Sequence, residues 1–200
     1  MDFRYFRDPT NFGVGYSPEA QSCISCNEVR DGFNIWRDGP DDEIFVCPEC
    51  LSSGKISEYF EMGMDPDIKM LRQQLKELHP DWDDQQIEEV VQMRTNELMN
   101  CTPRIETWQG YFWPVHCGDY CCFVKEVGKA DLNQLASDDD GKSFFLNKLR
   151  DKQREKTPID PVWDSIRPES PKDKSGAYNL GVYLFQCLQC EEYVIIWDSN

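Results

Sequence analysis

The sequence predicts a mixed α+β fold in which small β-hairpins pack with several helices. Short apolar stretches that are typical of strands occur near both ends of the chain, and the one at residues 32–36 alternates with the period of a strand. Residues 65–100, between them, carry apolar side chains at helical spacing. Three pairs of cysteines, each separated by two residues, flank the strand-like stretches: Cys23 and Cys26, Cys47 and Cys50, and Cys187 and Cys190. The hairpins are therefore expected to be small and tied together at their cysteines.

The N-terminal region, residues 1–60, is expected to contain an arm and one hairpin. Residues 1–20 look like an extended arm with three aromatic side chains close together. Residues 32–36 alternate as a strand and end at the turn formers of residues 38–40, and residues 44–46 form a second strand that leads into Cys47.

Residues 61–100 are expected to form a helical insertion. A helix over residues 65–79 is closed by Pro80, and Asp83 or Asp84 can cap the next helix. The two helices are expected to pack as an antiparallel pair joined at Pro80.

Residues 101–200 begin with a segment rich in aromatic residues and cysteine, and the whole chain is expected to form one compact unit. A helix is predicted from Ser143 to about Gln153, followed by an irregular, proline-punctuated connection over residues 158–171. A strand then leads into Cys187 and Cys190, and a last strand covers residues 193–197. This ending repeats the cysteine-and-hairpin pattern of residues 23–50 in half form.

The composition limits the classes of partner. The chain has 200 residues and a formal net charge of −16. Such a surface repels phosphate backbones, so nucleic acid is not an expected partner. It attracts basic protein surfaces, although acidity can also serve solubility alone.

The sequence predicts a cytoplasmic protein. Its first ten residues lack the apolar segment of a signal peptide, and no apolar run reaches the roughly 18 residues of a membrane helix. The ten cysteines of such a chain indicate metal binding rather than disulfides.

The first predicted metal site consists of Cys23, Cys26, Cys47 and Cys50. Two residues between cysteines let both sulfurs reach one ion from a tight turn, and two such turns complete a tetrahedron. The ion is expected to be Zn²⁺, with iron in a rubredoxin-like site as the alternative. Four sulfur ligands leave no open position for water, so the site is expected to be structural.

A second zinc site is predicted from Cys117, Cys121, Cys187 and Cys190. His116 or Cys122 can replace one of these ligands, and buried thiols without a metal are the simpler alternative. A Cys-His nucleophile at His116 and Cys117 with Asp119 is disfavoured, because neighbouring residues rarely point at each other. No catalytic residue is therefore predicted.

Several stretches together resemble the bacterial CbrC family, which is named for a colicin-tolerance protein. The similar stretches are Phe3-Arg4-Tyr5 with Asp8-Pro9, the first two cysteine pairs, Thr102-Pro103, Trp108-Gln109, Trp113, His116-Cys117-Gly118-Asp119, and residues 183–190 with Asp198. Asn27 and Glu49 depart from the family pattern, and residues 61–86 and 128–177 look like expansions. The resemblance implies tolerance of, or immunity to, toxins from competing bacteria.

Three functional hypotheses follow. The preferred one is neutralisation of a basic toxin domain by binding, through acidic segments at residues 38–43, 81–89 and 138–140. The second is an enzyme that uses His116, Cys117 and Asp119, with an open metal site. The third is a regulatory zinc-ribbon protein.

Overall fold

The structure, a computed structural model, has the mixed α+β fold that the sequence predicts. It describes residues 2–36, 43–55, 65–105, 107, 109, 112–169 and 179–199, apart from the side chain at position 152. The predicted turn at residues 38–40, most of the acidic segment at residues 38–43, and Trp108 lie outside these residues.

A three-stranded antiparallel sheet forms near the N-terminus. Its strands, in spatial order, are β1 (Tyr16–Ser22), β2 (Val29–Trp36) and β3 (Glu43–Val46). Phe33 in the central strand lies opposite Tyr16 on one side and Val46 on the other. The predicted strands at residues 32–36 and 44–46 are confirmed.

The expectation of an extended arm over residues 1–20 is wrong. The segment contains a short helix, α1 (Pro9–Phe12), and all of β1 except its last two residues. Phe3, Tyr5 and Phe6 are buried: the ring of Phe3 packs edge-on against Phe33, and that of Phe6 against Phe123. Burying three aromatic side chains stabilises a docked N-terminus far more than a solvated arm.

The helical part begins with a single-turn helix and continues as a packed pair. Its helices are α2 (Pro48–Ser52), α3 (Ile68–Leu78) and α4 (Asp84–Cys101). Ion pairs join Arg72 to Glu88 and Lys76 to Asp84, so a later residue of α3 pairs with an earlier residue of α4. The predicted antiparallel packing is therefore confirmed.

The sequence predicted the start of α4 correctly and placed the start of α3 too early. The Asp83 carboxylate accepts a hydrogen bond from the Gln86 N–H, and the Gln86 side chain bonds back to the Asp83 N–H, which forms a capping box. Helix α3 begins only at Ile68, because Asp67 is its N-cap. The two preceding residues form β4 (Asp65–Pro66), which pairs in parallel with β5 (Phe112–Trp113).

A tight hairpin and a second three-stranded sheet follow. The hairpin consists of β6 (Val115–His116) and β7 (Asp119–Tyr120). The sheet contains β8 (Cys122–Glu126), β9 (Leu180–Gln186) and β10 (Tyr193–Ser199), with β9 in the centre and all pairs antiparallel. The two predicted C-terminal strands are thereby confirmed.

Between β8 and β9, the described residues form four short helices: α5 (Lys129–Leu135), α6 (Gly141–Lys148), α7 (Asp151–Arg154) and α8 (Ile159–Ser165). The single helix predicted from Ser143 to Gln153 is wrong. It is interrupted because Leu149 forms a bridge with Ile195, and the Arg150 N–H donates to the Ile195 carbonyl at 3.0 Å. The irregular connection over residues 158–171 was also only partly right, since it contains α8.

Two clusters of buried side chains form the core. The larger one joins residues from all three sequence regions, among them Phe33, Leu71 and Phe185. The smaller one packs α5, α6 and α8 on β9 and β10 around Phe145. Among the described residues, no helix is both long enough and apolar enough to cross a bilayer.

Candidate metal centres

The structure brings the first four predicted cysteines together. Cys23 and Cys26 lie in the turn between β1 and β2, Cys47 is the N-cap of α2, and Cys50 lies within α2. Their sulfurs lie within 4.8 Å of one another, and those of Cys26 and Cys47 are 3.8 Å apart. A tetrahedron with bonds near 2.3 Å has edges of about 3.8 Å, so the set fits one metal ion.

Backbone hydrogen bonds favour the thiolate form of Cys23 in the first centre. Asn27 has a φ of 62°, and its N–H donates to the Cys23 carbonyl at 2.8 Å. The Cys47 N–H donates to the Cys23 sulfur at 3.3 Å. Burial alone raises the pKa of Cys23, but backbone hydrogen bonds from Cys47, Cys26 and Ser25 outweigh it and lower this pKa to about 6. Burial raises the pKa of Cys47 to about 12, a cost that a bound cation offsets.

The second cluster consists of His116, Cys117, Cys187 and Cys190. Their ligand atoms also lie within 4.8 Å of one another. The His116 Nδ1 is 3.3 Å from the sulfurs of both Cys117 and Cys190, and those two sulfurs are 3.6 Å apart. Three sulfurs and one imidazole nitrogen are a common tetrahedral zinc set.

The β6–β7 hairpin explains how two neighbouring residues face one site. His116 pairs with Asp119, so the loop consists of Cys117 and Gly118 alone. Their φ values are 51° and 72°, the left-handed pair of a type I′ turn. This turn directs the Cys117 sulfur back toward the His116 ring. The expectation that neighbours do not point at each other is therefore wrong for these two residues.

Cys121, which the sequence analysis preferred as a ligand, does not belong to the second cluster. It lies between β7 and β8, where its N–H donates to the Pro114 carbonyl and its own carbonyl accepts from the Trp113 indole at 2.7 Å. Its side chain is fully buried, and burial raises the pKa of its thiol well above the usual range. Cys121 is thus a small apolar core residue, and His116, the stated alternative, takes its place.

The other alternative ligand, Cys122, also lies outside both clusters. Its sulfur is 3.6 Å from the Phe123 carbonyl, and burial raises its pKa to about 11. The remaining cysteine, Cys101, is half-buried beside Gly54. Among the described residues, the metal-ligating groups collect in two places only.

The turns at Cys23 and Cys187 have the same construction. In each, the first cysteine N–H donates to the carbonyl five residues later, Cys23 to Glu28 at 2.9 Å and Cys187 to Glu192 at 2.8 Å. The residue after the second cysteine is left-handed in both, with φ of 62° at Asn27 and 61° at Glu191. The C-terminal turn is thus a structural repeat of the N-terminal one, as its sequence predicts.

The Asp119 carboxylate contacts residues of the N-terminus and of α4 rather than the candidate metal ligands. Its carboxylate accepts hydrogen bonds from the Arg4 guanidinium at 2.6 Å and from the Tyr5 hydroxyl at 3.0 Å, and it also faces Arg94. The carboxylate thus anchors the N-terminus on the β6–β7 hairpin. It does not orient His116 as the third member of a catalytic set would.

Comparison with known proteins places the chain among bacterial relatives. It is 26% identical to a UPF0167 protein of Mycobacterium bovis over 98% of this chain and 91% of that protein. It is 23% identical to a UPF0167 protein of Pseudomonas aeruginosa, over 94% of this chain and 90% of that protein. No solved structure matches it. A family model described as "Uncharacterised protein family (UPF0167)" matches residues 1–199. The chain therefore belongs to the UPF0167 family.

Proposed function

We propose that both centres hold Zn²⁺ and that both are structural. The carrying observation is that each cluster supplies four ligand atoms within 4.8 Å, which fills a tetrahedron with protein side chains. Each ion joins segments that are distant in sequence: the first links β1 to α2, and the second links the β6–β7 hairpin to the β9–β10 turn. Zinc then contributes folding free energy directly.

We further propose that the protein acts by binding a basic protein, as the resemblance to CbrC and its toxin tolerance suggests. The net charge of −16 supports fast encounter with such a partner. The acidic segment at residues 81–89 is exposed at Asp81, in the α3–α4 connection, and at Glu89, in the first turns of α4. Each of these two acidic segments contains a helix N-cap, Asp83 in residues 81–89 and Asp140 in residues 138–140, so the proposal uses Asp81 and Glu89, which cap no helix.

A complementation experiment tests this function. Cells that lack the gene are challenged with colicin-type toxins and complemented with the wild-type chain or with the double variant Asp81→Lys, Glu89→Lys. The wild type should restore tolerance and the charge-reversed variant should not. Asp81→Asn with Glu89→Gln is the matched control, and it should retain most of the activity. Unchanged tolerance in the deletion strain would remove the proposal.

One observation favours a catalytic alternative: the His116 nitrogen lies 3.3 Å from the Cys117 sulfur. An enzyme of this kind requires an open metal position or a metal-free thiol. Absorption of the cobalt-substituted protein separates the two hypotheses. Spectra of two closed tetrahedral sites, one with four sulfurs and one with three sulfurs and a nitrogen, support the structural proposal. A five-coordinate or water-ligated spectrum supports catalysis.

A further inference from the structure

A cavity of about 270 Å³ lies beside the second metal centre. Its walls come from α3, from the end of α6 through α7, and from β6 and the start of β10. His116 is one of the lining residues. The cavity has room for roughly nine water molecules, which suits a small metabolite.

The charge of the cavity wall differs from that of the whole chain. The protein carries a net charge of −16, but the wall contains three cations against two carboxylates. The carboxylates lie at the rim, since the Asp151 side chain is 91% exposed and that of Glu192 is 55% exposed. Two of the cations lie deeper, with Arg150 15% and Lys148 28% exposed, whereas the Arg154 side chain is 45% exposed. The inner wall thus presents two cationic side chains, and each is paired in the structure, Arg150 with the buried Asp67 and Lys148 with the rim residue Glu192.

The hydrogen-bond donors of the cavity wall suit an anionic ligand. Arg150 bonds to the Asp67 carboxylate and to the Phe112 carbonyl, which accounts for two of the five N–H donors of a guanidinium. These contacts also hold its side chain in place. When the His116 Nδ1 binds a metal, the neutral ring carries its proton on Nε2, at the edge away from the sulfurs. His116 would then be a fixed hydrogen-bond donor among the residues that line the cavity.

We propose that this cavity binds a small oxyanion, a carboxylate or a phosphate, between Lys148, Arg150 and the Nε2–H of His116. Arg154, which also lines the cavity, supplies further positive charge. Glu192 is the internal competitor, since its carboxylate forms an ion pair with Lys148 in the structure. Binding of the ligand exchanges this rim carboxylate for the ligand's own anionic group.

Calorimetric titration of the full-length, metal-loaded protein tests the proposal, with inorganic phosphate, succinate and uncharged glycerol as probes. We expect one anion per chain and no binding of glycerol. Preference for phosphate or for succinate identifies the anionic group. Lys148→Gln should weaken binding about tenfold, because a charge-assisted hydrogen bond is lost. Glu192→Gln should strengthen binding several-fold, because the competitor is removed.

Lys142→Gln is the matched control. Lys142 lies on the same helix and pairs with Asp160, but it is not part of the cavity wall, so anion affinity should not change. In protein labelled with ¹⁵N-histidine, the ligand should shift the His116 Nε2 resonance. The proposal is overturned if neither anion binds at about 10 mM or if glycerol binds equally well. It is also overturned if Lys142→Gln lowers the anion affinity as much as Lys148→Gln does. Metal content, measured on each variant, keeps this outcome separate from failure of the zinc proposal.

Discussion

At the scale of single residues, the backbone of Cys117 decides the ligand set of the second centre. Its φ of 51° directs the sulfur toward His116, while Cys121 is buried in the core. We predict that Cys121→Ala retains two metal ions per chain and that His116→Ala retains one. Of these two residues, only His116 supplies a ligand atom to the second cluster. Elemental analysis of the purified variants measures this. A Cys121→Ala protein with a single ion would contradict the assignment.

Asp119 holds the N-terminal segment in place through hydrogen bonds from Arg4 and Tyr5. We predict that Asp119→Ala lowers the free energy of unfolding by about 3 kcal/mol, because it leaves the Tyr5 hydroxyl and two arginines without their buried acceptor. Tyr5→Phe removes one hydrogen bond and should cost about 1 kcal/mol. Urea unfolding monitored by tryptophan fluorescence compares the two. Equal losses would mean that the carboxylate contributes through Tyr5 alone.

At the scale of elements, the β6–β7 hairpin is the most sensitive part of the site. Gly118 has a φ of 72°, and an added Cβ would lie 2.8 Å from Leu78 Cδ1. We predict that Gly118→Ala destabilises the fold by about 2 kcal/mol, mainly through backbone strain, with a smaller contribution from displacing the exposed Leu78 side chain. The affinity of the second metal ion should fall about tenfold for the same reason. Competition with a coloured chelator measures the affinity.

A second substitution separates the two causes at Gly118. Adding Leu78→Ala to the Gly118→Ala variant removes the clash and leaves the left-handed strain. We therefore expect partial recovery of metal affinity in the double variant. Full recovery would show that backbone strain in the turn contributes nothing, contrary to the argument from φ.

At the scale of the whole molecule, the two metal ions should leave separately. Three of the four ligands of the first centre are buried, whereas Cys190 of the second centre is exposed and only Cys187 is buried. We predict that a strong chelator removes zinc in two kinetic phases of equal amplitude, with the second centre in the fast phase. Release is followed by chelator absorbance. The His116→Ala protein should lack the fast phase, and a single phase in the wild type would contradict the prediction.

Much of the fold could be predicted from local patterns. The capping box at Asp83 and Gln86, the strand at residues 44–46 and the C-terminal hairpin all depend on residues close in sequence. The segments that were missed depend on distant partners. Helix α6 ends where Leu149 meets Ile195, and the N-terminal aromatic residues are ordered by Phe33 and Phe123. Patterns among neighbouring residues in the sequence do not predict such long-range contacts.

The same division applies to the site. Cysteine spacing alone determined the first centre and half of the second, because two-residue separations place both sulfurs of a turn on one ion. Only the tertiary structure decided between His116 and Cys121, since both follow β5 closely and either could reach Cys187 along the chain. The left-handed Cys117-Gly118 turn brings His116 into the cluster as the candidate ligand, and burial in the core excludes Cys121 from it. The cavity beside His116 likewise exists only because α3, α6, α7 and β10 meet there.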